Sequence, residues 1–286
     1  MKVPLRLVGF LGGLLVTVGL GAAVGAAVGP DGGHTSVQSA PPQGEGVLSA
    51  VAGYRFVPRT SALAGAGGPF RFTIEGPDGR PVLRFITNHE RDLHLIVVSR
   101  ELTSYAHVHP SLEADGTWSV ELPALMPGSY RAVADFRVSG GPALALGVDL
   151  SVPGLYQPTV IDEPINEVTV DGLDVRLATR AGPGGVITVS VSVYRDGHLV
   201  TDLQPYLGSF GHLVAMRSGD LAYAHVHPLD YRDGEVRFEA TLPAAGRYRL
   251  YFDFRSGDVV RTAAFSFDQS VVTGETPGGH GGDAHG

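Results

Sequence analysis

The feature that most constrains this 286-residue chain is an internal repeat. HLIVVSRELTSYAHVHP, from His94 to Pro110, aligns without a gap on HLVAMRSGDLAYAHVHP, from His212 to Pro228, an offset of 118 residues. At the same offset Asp78-Gly79 matches Asp196-Gly197, Tyr130-Arg131 matches Tyr248-Arg249, and Asp135-Phe136-Arg137 matches Asp253-Phe254-Arg255. A repeat of this length is a whole domain rather than a solenoid unit. The chain therefore divides into a first domain over 47–154 and a second over 155–270.

Within each domain, short runs such as FRFTI, HLIVV, WSVEL and ITVSVSV alternate or are rich in β-branched and aromatic residues. PDG, ADG, MPG and RDG turn signals separate them at roughly ten-residue spacing, the pattern of a sandwich or barrel. LMPGSY and LPAAGRY each precede an alternating strand, as the corner tyrosine does before strand F of immunoglobulin-like sandwiches. The expected fold class is all-β, two tandem immunoglobulin-like β-sandwich domains.

The ends read differently. Lys2 and Arg6 precede an uncharged apolar stretch that runs to Pro30, which orients the chain N-terminus inward and exports the remainder of the chain. Residues 1–28 are a cleaved signal peptide, favoured by the small residues Ala22 to Ala27, or a membrane anchor, favoured by length. Residues 29–46, rich in Gly, Pro and Ser, are expected to be a flexible linker, and 271–286 a disordered Gly/His tail. With 21 Lys and Arg against 29 Asp and Glu, and no basic cluster, the chain is not a nucleic-acid binder. The lack of cysteine removes disulfides, thiolate metal sites and Cys nucleophiles.

The histidines carry the chemistry. A hairpin turning at Arg100-Glu101 would set His94 opposite His107, and one turning at Ser218-Gly219 would set His212 opposite His225. His109 and His227 lie two residues on and share the same face. Three imidazoles thus converge in each domain, a ligand set suited to copper or zinc. Asp135 and Asp253, on a later strand, are candidate fourth ligands or acceptors for an imidazole N–H. The alternative is a non-catalytic cell-envelope structural or interaction protein whose histidines are structural, each satisfied by a carbonyl, tyrosine or carboxylate. His89 and His198 occur in one copy each and are expected to be exposed.

An enzyme is less favoured. His107-x-His109-x-x-x-Glu113 has cupin-like spacing, but Glu101 and Val120 stand where that motif needs glycine, and Tyr231 replaces the Glu in the second copy. No GxSxG elbow or phosphate-binding glycine loop is present.

The string PYLG, GHLVAMRSGDLAYAHVHP and the GRYRLYFDFR strand resemble a bacterial, often actinobacterial, family of exported domains whose function is uncharacterised. The resemblance covers residues 204–267 and, through the repeat, 92–150; His212, His225 and His227 match its motif. Asp253 stands where that family is expected to carry glutamine. The resemblance implies an exported β-sandwich with a suggested role in metal handling; it names no protein partner.

Overall fold

The computed structural model describes residues 45–161, 163–182, 186–224, 226–242 and 244–270. The expected leader at 1–28, the tail at 271–286 and His225 lie outside them. Every regular element among the described residues is a strand, and no helix there is long and apolar enough to cross a membrane. The first domain contains β1 (Ala50–Val51), β2 (Tyr54–Pro58), β3 (Gly68–Glu75), β4 (Leu93–Ser99), β5 (Tyr105–Val108), β6 (Ser111–Leu112), β7 (Thr117–Leu122), β8 (Gly128–Arg137) and β9 (Ala143–Val152). In the second lie β10 (Glu167–Val170), β11 (Leu173–Ala181), β12 (Val186–Arg195), β13 (His198–Leu199), β14 (His212–Arg217), β15 (Tyr223–Ala224), β16 (Val226–Arg232), β17 (Glu235–Thr241), β18 (Gly246–Ser256) and β19 (Val259–Gln269).

Each domain is a sandwich of two antiparallel sheets. The first pairs β1-β2-β3-β7-β6 with β5-β4-β8-β9; the second pairs β10-β11-β12-β17-β16, with β13 on β12, against β15-β14-β18-β19. This is the immunoglobulin-like arrangement, an A-B-E-D order facing C′-C-F-G, with an extra edge strand, β1 or β10, before A in each domain. The expected corner tyrosines are in place: Tyr130 donates its hydroxyl to the Met126 carbonyl at 2.7 Å, and Tyr248 to that of Ala244 at 2.9 Å. Phe72, Trp118, Leu95 and Val97 help fill the first core, and Val189, Phe238, Phe252 and Phe265 the second.

A third apolar layer lies between the domains. It contains Ile96, Val98, Leu102 and Val133 from the first and Val214, Met216, Tyr223 and Tyr251 from the second. The β5-β4-β8-β9 and β15-β14-β18-β19 sheets thus pack outer face to outer face. Strand β4 is consequently buried at all seven positions. Leu93, Leu95 and Val97 enter the sandwich core, while His94, Ile96 and Val98 face the other domain. Burying such a side chain contributes roughly 1.5–3 kcal/mol.

The hairpin register differs from expectation. His107 is opposite Ile96, not His94, because the tip is the four-residue loop Arg100–Thr103 rather than a two-residue turn. Leu102 takes a positive φ of 61° there, which drops its side chain into the interdomain layer. The Ser99 hydroxyl accepts from the Thr103 and Ser104 amides, at 3.1 Å each, and closes the loop. The second hairpin behaves alike, with Met216 opposite Tyr223 and Leu221 at φ 58°. A slip of two residues leaves every side chain on its expected face, so the histidine face survives the correction.

Glu45 and Gly46, at the end of the expected flexible linker, are held in the structure. The Glu45 carbonyl accepts from the Tyr223 amide at 2.7 Å, Gly46 donates to Ala145 at 3.0 Å, and Gly147 donates to Leu48 at 2.9 Å. This strap ties the edge of the second domain to β9 of the first. It passes so close to Gly147 that a Cβ there would stand 1.8 Å from the Gly46 carbonyl oxygen. Gly147→Ala should therefore cost about 1–3 kcal/mol in urea unfolding. Wild-type stability in that variant would show that the strap is not seated.

Candidate metal centre

The site forms where the chain leaves the first interdomain sheet. His94 is the second residue of β4, His107 is the third residue of β5, and His109 lies in the crossover from β5 to β6, which pairs in the opposite sheet. One ring nitrogen from each of these three lies within 4.8 Å of the other two. His94 Nδ1 is 3.0 Å from His107 Nε2 and 3.2 Å from His109 Nε2.

The opposite ring edges fix the tautomers. His94 Nε2 lies 3.1 Å from the Asn88 carbonyl, which can only accept, so the proton is on Nε2 and Nδ1 keeps its lone pair. His107 Nδ1 lies 2.9 Å from Oδ2 of Asp253, so this nitrogen is the donor. The His94–His107 contact at 3.0 Å thus brings together two ring nitrogens whose opposite ring edges are both engaged.

Asp253 comes from the second domain. Its Oδ2 also accepts from the Tyr105 hydroxyl at 3.0 Å, and its Oδ1 from Thr262 at 2.5 Å. Reciprocally, Tyr223 of the second domain donates to Asp135 of the first at 2.8 Å. Each candidate aspartate thus serves the other domain's hairpin. With its oxygens engaged by Tyr105, His107 and Thr262, Asp253 is an orienting acceptor behind His107.

His225 lies outside the described residues, so of the set expected in the second repeat only His212 and His227 are described. His212 joins the first domain's cluster, with its ring 6.3 Å from those of His94 and His107 and its Nε2 donating to the Tyr206 carbonyl at 2.9 Å. His227 is exposed and sits opposite Glu239 in the other sheet. The reason is strand length: β16 is seven residues long and begins at Val226, whereas its counterpart β6 is two residues long and begins at Ser111. The crossover therefore falls earlier and places His227 on β16, where it lines a cavity shared with His89 and His94. Among the described residues only the His94, His107 and His109 set meets the spacing for an ion. Glu113, the carboxylate of the cupin-like spacing, is exposed beyond β6 and does not join that set.

His89 is the residue that sequence reasoning placed wrongly. It is half-buried, with its ring 5.1 Å from His212 and 6.2 Å from His94. The turn Asn88–Arg91 holds it there, closed by reciprocal backbone bonds of 2.8 and 3.0 Å. Its central residues His89 and Glu90 have φ of 47° and 62°, conformations that cost a non-glycine residue about 1–2 kcal/mol each. The matching turn of the second domain, Tyr206–Ser209, has Leu207-Gly208 at its centre. His198, by contrast, is exposed as expected.

Burial in this layer pushes the imidazoles toward neutrality, and their mutual repulsion adds to it. Desolvation first, then His107, lowers His94 to about 3. The same two causes lower His109 to about 2. Desolvation lowers His212 to about 4, partly offset by its bond to Tyr206. A base whose folded pKa is depressed binds fewer protons folded than unfolded, where His titrates near 6.5. The metal-free protein should hold its full stability above about pH 6.5 and lose it progressively as pH falls toward 4. Urea midpoints across that window check this; a flat profile would contradict it.

Sequence comparison places the molecule. A family profile matches twice, over residues 49–152 and 168–271. The chain belongs to the family described as Domain of unknown function (DUF8832). Both matches fall on the two repeats, in keeping with the duplicated, uncharacterised family that the HVHP motif resembles. Comparison with curated proteins finds no match. Among solved structures, invasin, a bacterial integrin-binding protein, aligns with 11% identity and a TM-score of 0.24 over 77% of this chain and 40% of its own. A putative membrane anchored protein from Corynebacterium diphtheriae aligns with 12% identity and a TM-score of 0.23, over 76% and 59%. Domains 5-6 of the S-layer protein SbsC give 12% and 0.22, over 74% and 95%. The chain thus spans 40% and 59% of the first two.

Proposed function

We propose that this DUF8832 protein is a non-catalytic, extracytoplasmic metal-binding protein that holds one copper or zinc ion on His94 Nδ1, His107 Nε2 and His109 Nε2. The observation that carries this reading is the convergence of a third imidazole nitrogen on the His94–His107 pair. A proton shared between two rings needs no third nitrogen beside it, whereas an ion does. An ion with bonds of about 2.0–2.1 Å spaces its ligands about 2.9 Å apart at right angles and about 3.3 Å at tetrahedral angles. The two spacings at His94 Nδ1, 3.0 and 3.2 Å, fall in that range.

The surroundings support the same reading. Two ligand rings have their far N–H groups engaged, one by the Asn88 carbonyl and one by the Asp253 carboxylate, the arrangement that orients metal-bound histidines. Burial lowers the pKa of His94 and His109, so these two rings are neutral at neutral pH and binding displaces no proton from their charged forms. An all-imidazole set without thiolate suits copper(II) or zinc. The Lys2/Arg6 charge pattern ahead of the apolar stretch favours location outside the cytoplasm, with a membrane anchor if that stretch is retained.

A second reading has its own support. Asp253 receives both Tyr105 and His107 across the domain boundary, so a protonated His107 would make a purely structural clasp. Elemental analysis of apo protein dialysed against copper or zinc separates the two. About one equivalent should bind per chain, and the His94/His107/His109 triple alanine variant should bind none there. Asp253→Asn should retain binding but weaken it about 10–100-fold. Full metal content in the triple variant would overturn the metal reading. No uptake by wild type, with a lowered melting temperature in the variant, would establish the clasp.

A further inference from the structure

A second site lies at the far end of the interdomain layer, and a comparison of the two repeats reveals it. In the first domain Arg131 on β8 faces Asp149 on β9, donating Nε to the carboxylate at 2.7 Å. Its Nη1 reaches the Gly46 and Val47 carbonyls at 3.1 and 3.2 Å. The matching guanidinium of the second domain is Arg249 on β18, and the residue facing it on β19 is Ser266. The carboxylate is missing. Ser266 directs its hydroxyl to the Glu163 carbonyl at 2.8 Å. The nearby acid, Asp268, is taken by Arg247 through two bonds of 2.8 Å.

Arg249 is left with its Nε and Nη1 atoms buried and without a hydrogen-bond partner. Desolvation pulls its pKa below the ordinary guanidinium value, offset in part by Tyr251, whose ring centroid lies 6.0 Å from the guanidinium carbon. Beside it is a cavity of about 110 Å³, lined also by Leu102, Val160, Tyr248, Ser218 and Ser266. Glu101 stands on the rim, but its carboxylate is engaged by the Tyr156 hydroxyl. A planar guanidinium fork offers paired N–H donors, the complement of a carboxylate. Leu102 and Val160 line the same cavity with aliphatic surface.

We propose that this cavity binds a small aliphatic monocarboxylate, whose oxygens take the place beside Arg249 that Asp149 fills beside Arg131. The cavity has room for a few carbon atoms and not for a folded peptide segment. The site is separate from the histidine cluster and does not depend on metal binding.

Propionate is the probe, with the neutral isostere propionamide and matched sodium chloride as controls. Propionate should raise the melting temperature of the full chain saturably, and neither control should do so. Arg249→Met removes a charge with two buried N–H groups that lack hydrogen-bond partners, so it should fold about as well as wild type and bind propionate about 10- to 100-fold more weakly. Ser266→Asp supplies the missing carboxylate internally; this variant should melt higher without ligand and lose its sensitivity to propionate. A wild-type shift no larger than that produced by chloride would overturn the proposal. So would a shift that persists in Arg249→Met, or a Ser266→Asp variant that propionate still stabilises as it does wild type.

Discussion

Outer sheet faces rich in Ile96, Val98, Val133, Val214 and Met216 cannot be left to water without large cost, and each domain here covers the other's. Everything of chemical interest depends on that docking. A polar group inside the layer loses its water and needs a partner, and the nearest partners belong to the opposite domain. Hence Tyr105 finds Asp253, Tyr223 finds Asp135, and the Tyr251 hydroxyl finds the Leu102 carbonyl at 2.7 Å. The histidines lie at the rim of the same layer, near enough to the apolar packing to be dehydrated and far enough from its centre to crowd together.

The sandwiches themselves were legible in the sequence. Alternating strands, turn signals and the LMPGSY and LPAAGRY corners suffice for an immunoglobulin-like topology, because these are local patterns with a period of two. The shared face of His94, His107 and His109 was legible for the same reason, since a register error of two residues returns each side chain to its side. Turn chemistry alone favours the shorter, two-residue tip. Leu102 adopts an unfavourable φ to reach apolar cover that only the other domain supplies.

The contacts between domains were not legible from local pattern. Pairing His107 with Asp253 across 146 residues depends on rigid-body docking, which no strand period encodes. One signal did exist. HLIVV and HLVAM lack the polar alternation of a strand with one wet face, as expected when both faces are covered. His89 was hidden for a different reason: its position depends on a two-residue turn with positive φ that His89-Glu90 does not advertise, whereas the matching Leu207-Gly208 contains the customary glycine. The different placement of His227 and His109 reflects the greater length of one edge strand, seven residues against two, a difference that alignment of the motif alone conceals.

The reciprocal tyrosine–aspartate bonds have a further meaning. Tyr105 to Asp253 and Tyr223 to Asp135 join equivalent positions in exchanged roles, the contact pattern of an isologous dimer about a twofold axis. This polypeptide encloses a dimer interface within one molecule, with the segment between the repeats holding the halves at high effective concentration. A symmetric pair of chains must change both copies of every interface residue at once. A fused pair is free of that rule, so one half can gather imidazoles while the other keeps the carboxylate that orients them.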